Sequence, residues 1–126
     1  MAKTIVSTSN APKSMAGYSQ GVKAGGFLFI AGQGPFQPET GDVVGKTIQE
    51  QTAQCLRNIE AILKEAGSSL DKVVSATFIL DEPDDYAGMN EEWSKWFSTD
   101  PPVRQGAKLP IKVKGMKISI AVIAEA

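Results

Sequence analysis

The chain has 126 residues, 42% apolar and 21% charged, which suits one soluble globular domain with a single core. Thirteen basic against fourteen acidic residues leave a net charge of −1 and a pI near 5.4, which argues against a protein that grips a nucleic-acid backbone. With no histidine and one cysteine, the sequence excludes a Ser-His-Asp triad, a Cys-His pair and any histidine-ligated metal.

Lys3 to Ser7 predicts a short strand and Asn10 to Gly17 a loop. Tyr18 to Ala24 and Phe27 to Gly32 predict two strands around a turn at Gly25-Gly26. Gln37 to Asp42 carries turn chemistry. Thr47 and Glu50 have the spacing of a capping box. Behind them Thr52, Cys55, Leu56, Ile59, Ile62, Leu63 and Ala66 recur at helical spacing, and Gly67 ends the helix. Leu70 to Leu80 predicts a strand with apolar residues on both parities, hence one buried on both faces. Pro83 is placed to start a second helix, with Tyr86, Met89, Asn90, Trp93, Trp96 and Phe97 as its stripe. Asn90 is out of character there, and a structural amide and a site residue are equal readings of it. Val103 to Lys108 and Met116 to Glu125 close the chain as strands.

This order, β-β-β-α-β-α-β-β, implies an α+β fold with two helices packed on one face of a mixed sheet. The opposite face would carry Ile, Val, Phe and Ala with nothing to cover it, so self-association is expected. Cys55 falls on the apolar stripe and reads as a small buried hydrophobe in a reducing compartment. No apolar run approaches the roughly 18 residues of a membrane span. The opening Met1-Ala2-Lys3-Thr4 has neither a secretory nor a transit pattern, so a cytoplasmic protein without membrane or nucleic-acid partners is expected. Lys108, Lys112, Lys114 and Lys117 cluster locally and read as a solvated loop.

Only two arginines are present. Arg57 lies among polar neighbours on the first helix. Arg104 follows the rigid Pro101-Pro102 corner and enters a strand. Its guanidinium is a permanent, planar fork of donors suited to a carboxylate or phosphate, so it is the natural anchor of a small-molecule site.

Several separated segments then align with one family. Gly17-Tyr18-Ser19-Gln20, Gly32-Gln33-Gly34-Pro35, Pro38-Glu39-Thr40-Gly41, Gln51-Thr52, Asn58, Gly67, Asn90, Pro102-Val103-Arg104 and Leu109-Pro110 occur in order across nearly the whole chain. On these segments the chain resembles the Rid (YjgF/YER057c/UK114, endoribonuclease L-PSP-like) family of enamine/imine deaminases. The resemblance implies a single chorismate-mutase-like domain over residues 1–126, a homotrimer with ligand sites between subunits, and no cofactor or metal. It implies hydrolysis of reactive 2-imino acids such as 2-iminobutanoate and 2-iminopropanoate, or their 2-amino enoate tautomers, to 2-keto acids and ammonia.

Carried over position by position, Arg104 grips the substrate carboxylate, Tyr18 lines the pocket and Asn90 forms its wall. Ala31, Gly32 and Gly106 complete the implied substrate-binding set. Three positions depart from the pattern: Ala31 stands for a serine, Gly106 for a frequent cysteine, and Ala121 for a glutamate that positions or activates water. Glu125 shares the strand parity of Ala121 but lies roughly 13 Å along it, too far to substitute. The alternative is therefore a non-catalytic trimer that binds small 2-keto or other carboxylic acids. Nucleic-acid action and a holdase role for the apolar surface are further rivals.

Overall fold

The computed structural model describes residues 2–15, 17–110 and 113–126, so Lys112 of the lysine cluster lies outside the described residues. The strands are β1 (Thr4–Val6), β2 (Gly21–Ala24), β3 (Phe27–Gln33), β4 (Val73–Leu80), β5 (Val103–Lys108) and β6 (Ile118–Glu125). The helices are α1 (Ile48–Glu65) and α2 (Tyr86–Trp96). The six strands form one sheet in the order β1-β2-β3-β6-β4-β5. All pairs are antiparallel except β4 with β5, which the crossover through α2 makes parallel.

α1 starts where the sequence says it should. Thr47 Oγ1 accepts from the Glu50 amide at 3.1 Å, and the Glu50 carboxylate accepts from the Lys46 and Thr47 amides at 3.0 and 3.1 Å. These bonds satisfy backbone donors that have no partner within the helix. At the other end Gly67 adopts φ +79°, and the amides of Gly67 and Ser68 turn back onto Lys64 and Leu63 in a Schellman closure. Between the caps, Cys55, Leu56, Ile59, Ile62 and Leu63 are fully buried against Leu28 and Ile30 of β3 and Ile118, Ile120, Val122 and Ala124 of β6. Each such side chain contributes about 1.5–3 kcal/mol by leaving water. α2 packs beside α1 and buries Met89, Trp93 and Phe97.

Of the expected boundaries that move, three have a clear local reason, while β1 shortens to Thr4–Val6 and β6 starts at Ile118 rather than Met116. β2 begins at Gly21 rather than Tyr18, because Gln20 is turned inward as a loop clamp. Its amide group takes the Thr8 N–H at 2.7 Å and donates to the carbonyls of Thr8 and Pro12 at 3.1 and 2.8 Å. Leu70–Lys72 form a 3-10 turn, so β4 starts at Val73. Pro83 likewise opens a 3-10 turn, Pro83–Asp85, that leads into α2.

β4 is also not buried on both faces. Val73 sits opposite Ala124 and Ser75 opposite Ile123, so Val74 is the extra residue of a β-bulge and is exposed. Only Val73, Ala76 and Leu80 face the helices fully buried, while Ser75, Thr77 and Ile79 stay half-buried. That second face is open, and no described element covers it. One row of it runs straight across all six strands: Ile5, Val22, Phe29, Ile123, Ser75 and Val103. Phe29 is 43% and Val103 70% exposed, so the row is an apolar stripe in water.

Candidate functional site

Arg104 lies on β5, the edge strand, in register with Ala76 and in the row that continues through Val122, Ile30, Gly21 and Val6. That row faces the helices. The guanidinium therefore rises from the sheet edge toward α2, where Tyr86, Asn90 and Trp93 recur at spacings of four and three and share one helical face. Its central carbon lies 5.0 Å from the Phe78 ring centre, 5.2 Å from Trp93 and 5.6 Å from Tyr86. Nη2 donates to the Tyr86 hydroxyl oxygen at 3.0 Å. A guanidinium is weakly hydrated and stacks readily on aromatic faces, so three rings hold it without neutralising it. Among the described residues it has no carboxylate partner. The arrangement is a fixed cation whose other N–H groups await an acceptor.

Gly106 stands two residues on, opposite Phe78 in the sheet. A Cβ at that position would lie 2.2 Å from the Phe78 ring, well inside contact distance. The glycine lets the ring lie flat on the strand and form one wall around Arg104. Asn90, on the same face of α2, has a buried Oδ1 with no hydrogen-bond donor among the described residues. An unsatisfied buried acceptor is costly in a folded protein, so this oxygen is a place for an N–H donor.

The remaining expected residues lie elsewhere. Tyr18 sits in the loop before β2, 51% exposed. Ile30 pairs with Val122 and Gln33 with Ile120, so Ala31 and Gly32 form a bulge opposite Ala121. Ala121 pairs with Thr77, in the row next to the open-face stripe. Three strand spacings, roughly 14 Å, separate β3 from β5. A single chain thus gathers Arg104, Gly106 and Asn90 near one edge and leaves Tyr18, Ala31 and Gly32 away from them. A concavity of about 540 Å³ lies between the segment from Ser7 to Ser14 and that from Pro38 to Gly41; no residue of β5 or α2 lines it. Among the described residues no three His, Cys, Asp or Glu side chains stand together as metal ligands.

Sequence reasoning missed Tyr86, Phe78 and Trp93 as neighbours of Arg104. The spacing of Tyr86, Asn90 and Trp93 marks a common helical face, but its contact with β5 arises only when α2 crosses the sheet. Other motif residues are structural clamps. Gln51 Nε2 donates to the carbonyls of Gly45 and Gly115, and its Oε1 accepts from the Lys117 amide. Asn58 Nδ2 donates to the carbonyls of Gly34 and Phe36 at 3.1 and 3.0 Å. These two amides fix the loops flanking α1.

Comparison with known proteins agrees with this fold. Residues 8–126 match the family model described as Endoribonuclease L-PSP. A RutC family protein of Pyrococcus abyssi is 44% identical over 124 residues, 98% of each chain. Reactive Intermediate Deaminase A, chloroplastic, of Arabidopsis thaliana is 37% identical over 115 residues, 89% of this chain and 62% of that protein. Among solved structures, a Rid-family protein of unknown function from Yersinia pestis superposes with a TM-score of 0.93 at 36% identity, covering 99% of this chain and 100% of the other. E. coli TdcF with bound serine superposes with a TM-score of 0.89 at 30% identity, covering 98% of both.

Proposed function

The chain belongs to the Rid/YjgF/RutC family, which includes reactive intermediate deaminases, and on that premise we propose that it hydrolyses 2-imino acids to 2-keto acids and ammonia. The observation that carries this reading is the setting of Arg104: a guanidinium held by three rings, one of them through its hydroxyl, with no carboxylate partner among the described residues and with donors to spare. A small 2-imino acid offers the matching group. Its carboxylate docks on the guanidinium in a charge-assisted pair worth roughly 1.5–3 kcal/mol. The adjacent C=N carbon is then held in one orientation. Asn90 Oδ1 accepts from the nitrogen and favours its protonated, more electrophilic form. Water adds to that carbon, one of its protons passes to the nitrogen, and the C–N bond breaks to release ammonia while the new hydroxyl gives its remaining proton to solvent and becomes the 2-keto group.

Tyr18, Ala31 and Gly32 join this site when a second copy supplies them. The apolar stripe through Phe29 and Ile123 supports such packing, as a homotrimer with sites between subunits. The single buried thiol suits a reducing compartment such as the cytosol. Among the described residues no helix is long and apolar enough to cross a membrane.

A second reading is favoured by Ala121. A positioned carboxylate base is typically worth about 10²–10⁴ in rate, and this chain has a methyl group there. A carboxylate binder without turnover would keep Arg104 and tolerate that loss, and a structural relative is seen with serine bound. Turnover decides between the two. An amino-acid oxidase generates 2-iminobutanoate or 2-iminopropanoate in place, and semicarbazide traps whatever imine escapes. The protein should suppress trapping and Arg104→Ala should not. Trapping left unchanged by the wild type across several imines removes the enzymatic reading.

A further inference from the structure

We propose that Tyr86 is a second binding residue for the ligand carboxylate, its hydroxyl donating a hydrogen bond to the anion that Arg104 holds; this rests on the carboxylate reading above. Arginine has donors only, so in the 3.0 Å contact between Arg104 Nη2 and Tyr86 Oη the phenol oxygen must accept. Its own hydrogen is left over. Among the described residues no acceptor takes it.

The position of that hydrogen is constrained. The Tyr86 ring is held on three sides: as the first residue of α2, by a tilted contact with Phe78 at 5.9 Å, and by the guanidinium 5.6 Å from its centre. With one lone pair engaged by Nη2, the O–H points away from the arginine. Tyr86 is 46% exposed, which leaves that hydrogen open to solvent or to a ligand. An anion that docks on the remaining guanidinium N–H groups meets the phenol oxygen as its neighbour. One carboxylate oxygen then accepts from Arg104 and the other from Tyr86. A phenol that accepts from a cation is polarised, and its own donor strength rises. The pair thus reads a carboxylate by two donors of different kinds, one charged and one neutral.

The competing role is that of a prop, in which Tyr86 only steadies Arg104 by stacking and by accepting from Nη2. Two variants separate the roles, read by calorimetric titration with 2-oxobutanoate, a stable 2-keto acid. Tyr86→Phe keeps the ring and its stacking. It should weaken binding by about tenfold or more and leave the thermal midpoint nearly unchanged. Replacing Tyr86 alone with 3-fluorotyrosine, at a pH where the phenol stays protonated, makes the hydroxyl a better donor and a poorer acceptor. A donor to the ligand then binds 2-oxobutanoate more tightly, whereas a prop binds it more weakly. Binding by Tyr86→Phe within about twofold of wild type, or weaker binding by the fluorinated protein, overturns the inference and leaves the role of Arg104 standing. Wild-type binding that is absent, or that survives Arg104→Ala, overturns the carboxylate reading itself and the Tyr86 inference with it.

Discussion

Arg104 owes its surroundings to a residue with no side chain. Because a Cβ at Gly106 would strike the far end of the Phe78 ring, Gly106→Ala should swing the ring away rather than break the sheet. The expected stability loss is small, about 1–3 kcal/mol, while the stack beneath the guanidinium is lost. A double-mutant cycle of Gly106→Ala with Phe78→Leu should show coupling of about 0.5–3 kcal/mol in the denaturation free energy. Purely additive effects would mean that the two residues do not share that space. Cys55 gives a second test. Burial pushes its thiol well above the usual range. It should therefore resist thiol reagents in the native protein and react only on unfolding. Arg104 could be singled out as the candidate anchor from the sequence, because eliminating histidine chemistry and a solvated Arg57 leaves it. Its aromatic surroundings were not, since Phe78, Tyr86 and Trp93 reach it from a neighbouring strand and from a helix across the sheet edge.

At the scale of elements, α1 carries the most legible signals and the least legible contacts. Its capping box could be read from Thr47 and Glu50 alone, because a cap is a contact within four residues. Thr47→Ala should cost about 1 kcal/mol in chemical denaturation. The Glu50 carboxyl is held below its ordinary value by the amides of Lys46 and Thr47. A depressed carboxylate stabilises the fold above its unfolded pKa and loses that contribution as pH falls through its folded value. The stability difference between wild type and Glu50→Gln should therefore be constant well above about pH 4.3 and shrink as the pH falls below it. The clamps on the same helix had no such signal. Gln51 bonds a carbonyl 64 residues away, and Asn58 bonds carbonyls 24 and 22 residues away. Nothing in local spacing marks those partners. Asn58→Ala should cost about 1–3 kcal/mol, since it leaves the Gly34 and Phe36 carbonyls without that donor.

For the whole molecule, the open sheet face decides how the chain lives in water. The order of elements implied two helices on one face of the sheet, and the uncovered face followed from that. A bulge at Val74 escaped notice because one extra residue looks like a change of parity. Phe29→Asp or Ile123→Asp puts a charge in the middle of the six-strand apolar row. Sedimentation should show the wild type as an oligomer and either variant shifted toward monomer. Turnover should fall with the oligomer, because Tyr18 and Arg104 would then no longer share a site. A monomeric wild type would remove the basis for a shared site.

The central claim is that Arg104 receives a ligand carboxylate at a site completed by a second copy. A crystal structure of the protein with 2-oxobutanoate tests it most directly. The expected result is the ligand carboxylate on the Arg104 guanidinium, with Tyr18 of a neighbouring copy lining the same pocket. Arg104 paired with an aspartate or glutamate of a neighbouring copy, with the ligand absent or bound elsewhere, would contradict it.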